Sequence, residues 1–248
     1  MHLFRATFLP LFLMCQPDGK QLPTTSKDMS APSLPVVIPD EPRNELDLSK
    51  CTYPKEYDGH FDRLLISKEE IRRVVKALAA QIQSDYSAKK SRPVMVCVLK
   101  GASPFFQHLC DALMELRQGF DTEFIRVSSY EGTESTGRVR VAGGIDYDHL
   151  AGRDLLLVED IIDTGTTLSY LIPTLMGKEK PPKSVEVATL LSKRLTEPAK
   201  WEGKDVGFTV PPHFVIGYGL DFNELYRDTA DIFVISKAGI EFDASSLV

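Results

Sequence analysis

The sequence predicts an α/β fold in which helices flank a mainly parallel, twisted sheet. A continuous apolar run, Val94–Leu99, has the length and composition of a strand that is buried on both of its faces. Segments with the spacing of amphipathic helices precede and follow this run. Further strands alternate with helical segments toward the carboxyl end, and that alternation is typical of a parallel sheet with helices on both faces.

The first elements of the predicted domain are two helices and the strand between them. A helix is predicted over Ser67–Tyr86, because Ser67 and Glu70 have the spacing of a capping box. After the strand, Ser103 and Pro104 suit the N-cap and the first residue of a second helix. The apolar faces of the two helices are Ile71, Val74, Val75, Leu78 and Ile82, and Phe105, Phe106, Leu109, Leu113 and Leu116.

The second half of the chain supplies the remaining elements. Strands are predicted at Thr122–Val127, Asp154–Val158, Val185–Leu191, Phe214–Tyr218 and Ile232–Ile235. A long polar loop, Ser128–Asp148, with a weak hairpin around Arg138–Val141, is expected to be functional or disordered. A helix is predicted from Thr166, and Pro173 should kink it or end it near Ile172 because proline removes a backbone hydrogen bond.

The amino-terminal part is rich in proline, serine, threonine and acidic residues and has little periodicity. We expect a disordered extension over 1–53 and one folded domain over 54–248. The stretch His2–Cys15 faintly resembles a signal peptide, but a proline interrupts it and no A-x-A-like cleavage site follows. Translation from Met29 is an alternative start. No segment has the ~20 apolar residues that cross a bilayer, so a cytoplasmic protein is expected.

Charge and cysteine content exclude two classes of protein. The formal net charge of −6 argues against broad nucleic-acid binding, which needs a basic face. The four cysteines show no CxxC spacing, and a disulfide framework is not expected in a chain this long with so few of them. Cys97 and Cys110 lie in apolar runs and are predicted to be buried free thiols.

The most informative stretch follows the strand Asp154–Val158. Two adjacent carboxylates, Glu159 and Asp160, come after that strand, and a short loop then leads into the next helix. In open α/β sheets, ligands bind at the carboxyl ends of the strands. Because N–H groups at a helix N-terminus bind anions, Thr164–Thr167 is expected to hold a phosphate, and Gly165 lets the backbone approach it.

The acid pair suits a different part of the same ligand. Glu159 and Asp160 would repel a phosphate beside them, but they can bind sugar hydroxyls or a divalent cation. Together with the phosphate loop, they match a ribose 5-phosphate. The alternative is a strand, turn and helix whose acids only cap the helix. The stretch has neither the GxxxxGK spacing of a Walker loop nor the GxGxxG of a dinucleotide site.

The run VEDIIDTGTTL at 158–168 resembles the phosphoribosyl-pyrophosphate motif of type I phosphoribosyltransferases, and its VEDIIDTG form is similar to that of the hypoxanthine-guanine branch. Flanking segments agree: VLKGASPFF at 98–106, RVSSYEGTESTGRVRV at 126–141, VATLLSKR at 187–194 and PPHFVIGYGLDFNELYRD at 211–228. The resemblance covers Leu64–Phe242. It implies the type I fold, with a small hood built from N- and C-terminal segments.

The resemblance implies a purine salvage reaction of the pentosyl-transfer class. In this family, hypoxanthine or guanine displaces pyrophosphate from C1 of phosphoribosyl pyrophosphate, which gives IMP or GMP. Mg²⁺ is the implied cofactor, and a homodimer or homotetramer is the implied assembly. The alternatives are a non-enzymatic nucleotide-binding relative, which Asp163 disfavours, and a transferase for uracil, orotate or adenine, which Lys193 disfavours. Use of xanthine stays open.

The family's roles for the phosphoribosyl group are carried over onto matching positions. Asp163 is the implied proton acceptor near purine N7, although it could instead only cap the following helix. The implied 5′-phosphate site is Asp163, Thr164, Gly165, Thr166 and Thr167. Glu159 and Asp160 are the implied ribose ligands, directly or through Mg²⁺. The implied pyrophosphate contacts are Lys100, Gly101 and Arg227, and in this family the peptide before the lysine can be cis.

The implied purine site comes from the last third of the chain. Lys193 would contact O6, and because a lysine can only donate, it selects 6-oxopurines over adenine. Phe214 would stack on the ring and the Val215 backbone would read the 2-position, with His213 beside them. Each of these could instead be an ordinary core or surface residue.

Two further roles complete the implied site. Asp221 would bind Mg²⁺ together with Glu159 and Asp160. Ser129 and Tyr130 begin the long loop, which would close over the substrates and exclude water.

Three positions depart from the family's pattern. Thr166 stands where vertebrate-like members often have lysine, and other members have threonine there. Ala102 replaces a common second glycine after Lys100 and could change how the pyrophosphate loop switches. Glu197 stands where some members have arginine, which puts subunit contacts and pyrophosphate coupling in doubt but not the chemistry.

Overall fold

The computed structural model describes residues 31–43, 46–129, 139–142 and 146–243. Its strands are β1 (Val36–Val37), β2 (Phe61–Ile66), β3 (Val94–Leu99), β4 (Asp121–Ser129), β5 (Val139–Ala142), β6 (Asp154–Ile162), β7 (Ser184–Lys193), β8 (Asp205–Val210), β9 (Val215–Ile216) and β10 (Ile232–Ile235). Its helices are α1 (Lys68–Ala88), α2 (Ser103–Glu115), α3 (Tyr147–Leu150), α4 (Thr166–Met176) and α5 (Lys237–Glu241).

Seven strands form one sheet in the order β1-β8-β7-β6-β3-β4-β5. Every neighbouring pair is parallel except β4 and β5, which confirms the predicted mainly parallel sheet. The sequence pattern does not reveal β8, because its short run DVGFTV contains an aspartate and a glycine. In the fold, β8 is protected by β1 on one side and β7 on the other.

Apolar side chains cover both faces of the large sheet. On one face, α1 and α2 pack into a core that includes Leu78, Phe105 and Leu156. On the other face, α4 packs into a second core that includes Leu157 and Leu171. Neighbouring residues of β6 therefore point into different cores, as alternation along a strand requires. This double burial explains why the β6 sequence is almost continuously apolar.

A small antiparallel sheet, in the order β2-β10-β9, joins the start of the domain to its carboxyl-terminal part. Phe61 of β2 stacks on Phe233 of β10, with 4.2 Å between the ring centroids. Tyr226 is fully buried in the same cluster, and its hydroxyl donates to the Gly239 carbonyl at 3.1 Å. This sheet is the hood that the family resemblance implies.

Residues 31–43 and 46–53 belong to the folded domain, although the sequence predicted a disordered extension there. Strand β1 pairs in parallel with β8, and Ile38 after it is 1% exposed. Arg43 donates to Glu70 of α1 at 2.6 Å. The apolar residues of β1 are too few to predict a strand within a proline-rich stretch. The rest of the expected extension, 1–30, lies outside the described residues.

Helix α4 continues past its internal proline. The predicted stop near Ile172 is wrong, because the helix includes Pro173 and ends at Met176. Proline inside a helix costs about 3 kcal/mol through a missing hydrogen bond and a clash one turn back. Leu171 and Leu175 flank the proline and are buried in the core, so their packing offsets that cost.

One of the two predicted helix starts is confirmed and the other needs a correction. Ser67 and Glu70 form the predicted capping box at α1, and each side chain accepts from the other residue's backbone N–H. Helix α2 instead has Ala102 as its N-cap. Ser103 is its first residue, and the Ser103 hydroxyl donates to the Lys100 carbonyl at 2.8 Å.

The cysteine prediction is confirmed within the described residues. Cys97 and Cys110 are buried free thiols, and burial raises the pKa of each to about 12. In the described part of the chain, no helix is long and apolar enough to cross a membrane.

Asp154, at the start of β6, is a buried carboxylate that should make stability depend on pH. Burial alone would raise its pKa, but hydrogen bonds from Ser91, Ser184 and Lys183 outweigh that effect and hold its pKa at about 2. A carboxyl whose pKa is lower in the folded state stabilises the fold above its unfolded pKa of about 4. That stabilisation is lost as the pH falls from about 4 to about 2.

We therefore expect Asp154→Asn to lower the free energy of unfolding at pH 7 by about 2 kcal/mol and to weaken its dependence on pH below about 4. Urea unfolding followed by circular dichroism at several pH values measures both effects. Asp148→Asn is the control, because the Asp148 side chain is 81% exposed. If the free energy of unfolding fell as steeply with decreasing pH in Asp154→Asn as in the wild type, Asp154 would not be the source of this pH dependence.

Candidate active site

Three neighbouring parallel strands bring polar residues to one edge of the sheet. Lys100 and Gly101 follow β3, Glu159 and Asp160 lie near the end of β6, and Lys193 ends β7. Because parallel strands share a direction, their carboxyl ends meet at this edge. The peptide bond before Lys100 is cis, as the resemblance allows. Strand β6 is longer than predicted, so both acids are strand residues and not loop residues.

The two acids of β6 have few positive or hydrogen-bonding partners. Glu159 is 7% exposed, and its Oε2 has no hydrogen-bond partner among the described residues. Burial and the neighbouring Asp160 raise the pKa of Glu159 well above its usual value. Burial also raises the pKa of Asp160 to about 6, although the Ile161 N–H and Arg227 act against this. Hydroxyl donors or a divalent cation would stabilise the charged forms of both.

The predicted phosphate loop lies at the N-terminus of α4. Gly165 is the N-cap and has a left-handed φ of 71°, and the helix begins at Thr166. The Thr164 and Thr166 hydroxyls are 3.0 Å apart and hydrogen-bonded. A cavity of about 90 Å³ is lined by residues 161–168 and Glu159. The structure therefore brings backbone N–H groups and threonine hydroxyls around one small cavity, which suits an anion.

A second segment supports this loop from behind. The Lys200 N–H donates to the Thr164 carbonyl at 2.8 Å. A Cβ atom at Gly165 would lie 2.6 Å from the backbone nitrogen of Trp201, closer than real Cβ contacts allow. The Trp201 side chain packs against the core that contains α4. The position of the loop thus depends on a glycine at 165.

The residues predicted to bind pyrophosphate line a larger cavity of about 470 Å³. Lys100, Gly101 and Arg227 contribute to its wall, together with both acids of β6. A Cβ at Gly101 would overlap the Asp160 carboxylate, so a larger residue at 101 would force that carboxylate to move. The structure brings these predicted residues together.

Ion pairs hold the two cations of this cavity. Lys100 Nζ donates to Glu224 Oε2 at 2.8 Å. Arg227 Nη2 lies 2.8 Å from Asp221 Oδ1 and 3.3 Å from Glu224 Oε2, and Arg227 Nη1 donates to the Gly219 carbonyl at 2.7 Å. Both cations are therefore neutralised by carboxylates of the same turn, 221–224.

The predicted purine residues surround a neighbouring cavity of about 190 Å³. Lys193 Nζ donates to Asp163 Oδ2 at 2.7 Å, and the Lys193 side chain is only 13% exposed. Phe214 is 49% exposed and packs edge-on against Phe222, which leaves ring surface for a ligand. Val215 of β9 is buried and lines the same cavity. The base-facing side chains thus converge with Asp163.

The remaining predicted residues are His213, Ser129 and Tyr130. His213 does not line the cavity, because its ring Nε2 lies 2.7 Å from Arg63 Nη2 and pairs with that guanidinium. Ser129 is the last residue of β4 and pairs with Val139 of β5. Tyr130 lies outside the described residues.

The candidate metal ligands do not form a ready-made metal site. In the described part of the chain, no three His, Cys, Asp or Glu side chains are grouped so that they could hold an ion. Asp221 is paired with Arg227 and lines the same cavity as the two acids of β6. Mg²⁺ in phosphate-processing sites often takes one or two carboxylates plus substrate phosphates. The unpartnered Oε2 of Glu159 fits that kind of site better than a cage of protein ligands.

Comparison with known proteins agrees with this geometry. A model of the phosphoribosyl transferase domain matches residues 65–223, which include the acid pair and the phosphate loop. The chain belongs to the phosphoribosyltransferase family. It is 38% identical over 218 residues to the hypoxanthine-guanine phosphoribosyltransferase of Canis lupus familiaris, covering 85% of this chain and 97% of that protein. For the human protein of that name, the identity is 37% over 210 residues, covering 82% and 94%.

Solved structures of related phosphoribosyltransferases have the same fold. A hypoxanthine phosphoribosyltransferase from Staphylococcus aureus matches with a TM-score of 0.67 and 33% identity, covering 77% of this chain and all of that one. A variant of the Trypanosoma cruzi enzyme, complexed with the product IMP, matches with a TM-score of 0.66 and 37% identity, covering 74% and 95%. The type I phosphoribosyltransferase fold is thereby confirmed.

Two residues of this phosphoribosyltransferase site were not predicted from sequence. Glu224 contacts both pyrophosphate-site cations, and Trp201 supports the phosphate loop. The signal for Glu224 was the acidic residue three positions after Asp221 and three before Arg227. Trp201, the only tryptophan of the chain, stands in a polar stretch where a large aromatic residue is unexpected.

Proposed function

We propose that this phosphoribosyltransferase transfers the 5-phosphoribosyl group from phosphoribosyl pyrophosphate to hypoxanthine or guanine, in purine salvage. The observation that carries the proposal is the lysine-paired carboxylate of Asp163, between the phosphate loop and a cavity with an exposed aromatic face. The names of the relatives, hypoxanthine-guanine phosphoribosyltransferases, support these substrates. The IMP complex of the Trypanosoma cruzi relative supports the product.

Phosphoribosyl pyrophosphate would lie along the sheet edge. Its 5′-phosphate accepts from the N–H groups and hydroxyls of residues 164–167, next to Asp163, and its ribose hydroxyls donate to Glu159 and Asp160. Its pyrophosphate lies in the 470 Å³ cavity, near the backbone of Lys100 and Gly101 and the guanidinium of Arg227. A guanidinium binds phosphate oxygens in a bidentate fork, which a lysine at 227 could not reproduce.

Asp163 would receive the proton that the purine loses. As the C1–N bond to the purine forms and the C1–O bond to pyrophosphate breaks, the ring nitrogen N7 becomes acidic. Asp163 is 48% exposed, so its carboxylate can reach a base in the adjoining cavity. Lys193 donates to it and holds its orientation. Ser129, at the end of β4, and Tyr130 would begin the segment that excludes water from the ribose cation.

Lys193 would also determine which purine base is accepted. An ammonium group has three donors, so it can keep its bond to Asp163 and still donate to a purine O6. A 6-amino group offers no acceptor there, and adenine would leave a poorly exposed ammonium without that partner. Phe214 would cover one face of the ring, and the Val215 backbone would contact the 2-position.

We infer that Mg²⁺ is the divalent cation of this site. Glu159, Asp160 and Asp221 are the residues that would hold it, together with phosphate oxygens of the substrate. Bound there, the ion would supply positive charge that neutralises the pyrophosphate leaving group.

We also infer a cytoplasmic homodimer or homotetramer. The oligomeric state of the Trypanosoma cruzi enzyme has been studied in relation to its C-terminal region. Light scattering on the purified chain measures its mass in solution. A monomer at micromolar concentration would contradict the proposed assembly.

The proposed function is tested by supplying purified protein with phosphoribosyl pyrophosphate, Mg²⁺ and one base at a time. Hypoxanthine and guanine should give IMP and GMP, adenine and uracil should give no nucleotide, and xanthine decides the open question of its use. Absence of both IMP and GMP would rule out the proposal. Formation of AMP or UMP instead would show that the enzyme uses adenine or uracil as its base.

Phe214→Ala is expected to raise the KM for hypoxanthine about tenfold, because loss of aromatic stacking on a base costs about 1–3 kcal/mol. The KM for phosphoribosyl pyrophosphate should stay near its wild-type value. Phe214→Tyr keeps the ring and should restore the base KM. Phe124→Ala is the control, since Phe124 is as exposed at 50% but lies outside the cavity. An unchanged base KM in Phe214→Ala would contradict the stacking role.

A further inference from the structure

Glu224 contacts two cationic side chains that line the cavity of the proposed pyrophosphate site. Its Oε2 accepts from Lys100 Nζ at 2.8 Å and lies 3.3 Å from Arg227 Nη2. The paired charges lower the pKa of Glu224, as expected for a carboxylate that stays ionised between two cations. One carboxylate oxygen therefore contacts both side chains at once, as a phosphate oxygen would.

The backbone at Glu224 is in a conformation that favours another residue. Asn223 and Glu224 have φ values of 51° and 66°, and the flanking residues Phe222 and Leu225 are hydrogen-bonded to each other in both directions. Two central residues with positive φ characterise a type I′ turn, in which glycine is preferred at the second central position. A glutamate there costs about 1 kcal/mol relative to glycine. Glycine would suit the backbone at 224 at least as well, so Glu224→Gly can remove the side chain without disturbing the turn.

The charged residues that line the surrounding cavity indicate a role for the Glu224 carboxylate. Four acidic residues line it, Glu159, Asp160, Asp221 and Glu224, against three basic ones, Lys100, Arg126 and Arg227. A polyanion that enters this cavity must compete with Glu224 for Lys100 and Arg227. Removing the Glu224 charge leaves equal numbers of acidic and basic side chains, frees Lys100, and leaves Arg227 paired with Asp221.

We propose that Glu224 is an internal counter-anion of the pyrophosphate site, which pyrophosphate displaces when it binds and which takes the cations back when pyrophosphate leaves. The inference rests on the proposed function for the identity of the displacing anion. Glu224 thereby weakens the binding of pyrophosphate and of phosphoribosyl pyrophosphate. It leaves IMP binding unaffected, because IMP carries no pyrophosphate and its phosphate belongs to the loop at 164–167.

The test is calorimetric titration of Mg-pyrophosphate, and separately of IMP, into the full chain and its variants. Glu224→Gln should bind pyrophosphate about three- to tenfold more tightly, the size expected when two partly exposed ion pairs no longer compete. Its dissociation constant for IMP should change less than about twofold. Glu224→Gly, which also suits the left-handed backbone, should show the same selective gain, so a folding defect in one variant does not decide the result.

Glu115→Gln is the matched control. Glu115 pairs with Lys76 at 3.3 Å outside the cavity, so its loss changes the net charge equally without freeing a site cation. It should leave pyrophosphate binding unchanged. Unchanged or weaker pyrophosphate binding in both Glu224 variants, or an equal gain for IMP, would overturn the proposal. These titrations need no turnover, so a wild-type protein that fails to make IMP would refute the proposed function and not this inference.

Discussion

Asp163→Asn is expected to slow IMP formation about 100-fold or more while IMP still binds, in line with the loss of a general base. Asparagine keeps the size of the side chain, and its amide oxygen can still accept from Lys193, which donates to Asp163 at 2.7 Å. An amide cannot accept the proton that the purine loses. The turnover number and the IMP dissociation constant, measured on the same preparation, separate the two effects.

The control for this variant is Asp148→Asn. Asp148 pairs with Lys180 at 3.0 Å, and its side chain is 81% exposed. The Asp148→Asn variant loses the same charge from a surface position, so its turnover should be unchanged. A turnover number in Asp163→Asn within about threefold of the wild type would be incompatible with a general base at this position.

Gly165→Ala is expected to raise the KM for phosphoribosyl pyrophosphate about 100-fold and to weaken IMP binding to a similar extent. The new Cβ would lie 2.6 Å from the Trp201 backbone nitrogen, so the loop must move away from that segment. Displacing a positioned binding group by about 1 Å can cost 100-fold in catalysis. Initial rates at varied phosphoribosyl pyrophosphate and titration with IMP measure both effects.

Gly152→Ala separates this displacement from backbone strain. Gly152 has a left-handed φ of 65°, close to the 71° of Gly165, but a Cβ there meets nothing within 4 Å. The Gly152 variant should lose about 1 kcal/mol of stability and keep its KM. If the two variants bind phosphoribosyl pyrophosphate equally well, the packing of Gly165 against Trp201 does not position the phosphate loop.

The parts of this molecule that could be predicted from sequence are those with a strong local pattern. The apolar runs of β3 and β6 are long and uninterrupted, because both faces of each strand are buried. The capping box of Ser67 and Glu70 is likewise a local signal, and it is present at α1. The acids and threonines of 159–167 lie consecutively in the chain, so their common place at the sheet edge follows from the strand, turn and helix around them.

The features that could not be predicted depend on contacts between distant residues. Strand β1 has two residues and exists because β8 pairs with it, more than 160 positions away. The hydrogen bond between His213 and Arg63, which lies 150 positions earlier, is not visible in the sequence, and the purine contact of His213 stays a prediction. The place of Glu224 in the site depends on its contact with Lys100, which lies 124 positions away in the chain. Pairing of this kind leaves no periodic signal in the sequence.

Competition between hypoxanthine and adenine for a limiting amount of phosphoribosyl pyrophosphate tests whether the enzyme transfers the phosphoribosyl group to 6-oxopurines and not to adenine. We expect IMP and pyrophosphate in equal amounts and less than about 1% AMP, because a donor-only Lys193 beside Asp163 cannot pair with a 6-amino group. AMP in an amount comparable to IMP would contradict the assigned base selection. Consumption of phosphoribosyl pyrophosphate without IMP would contradict the transfer itself.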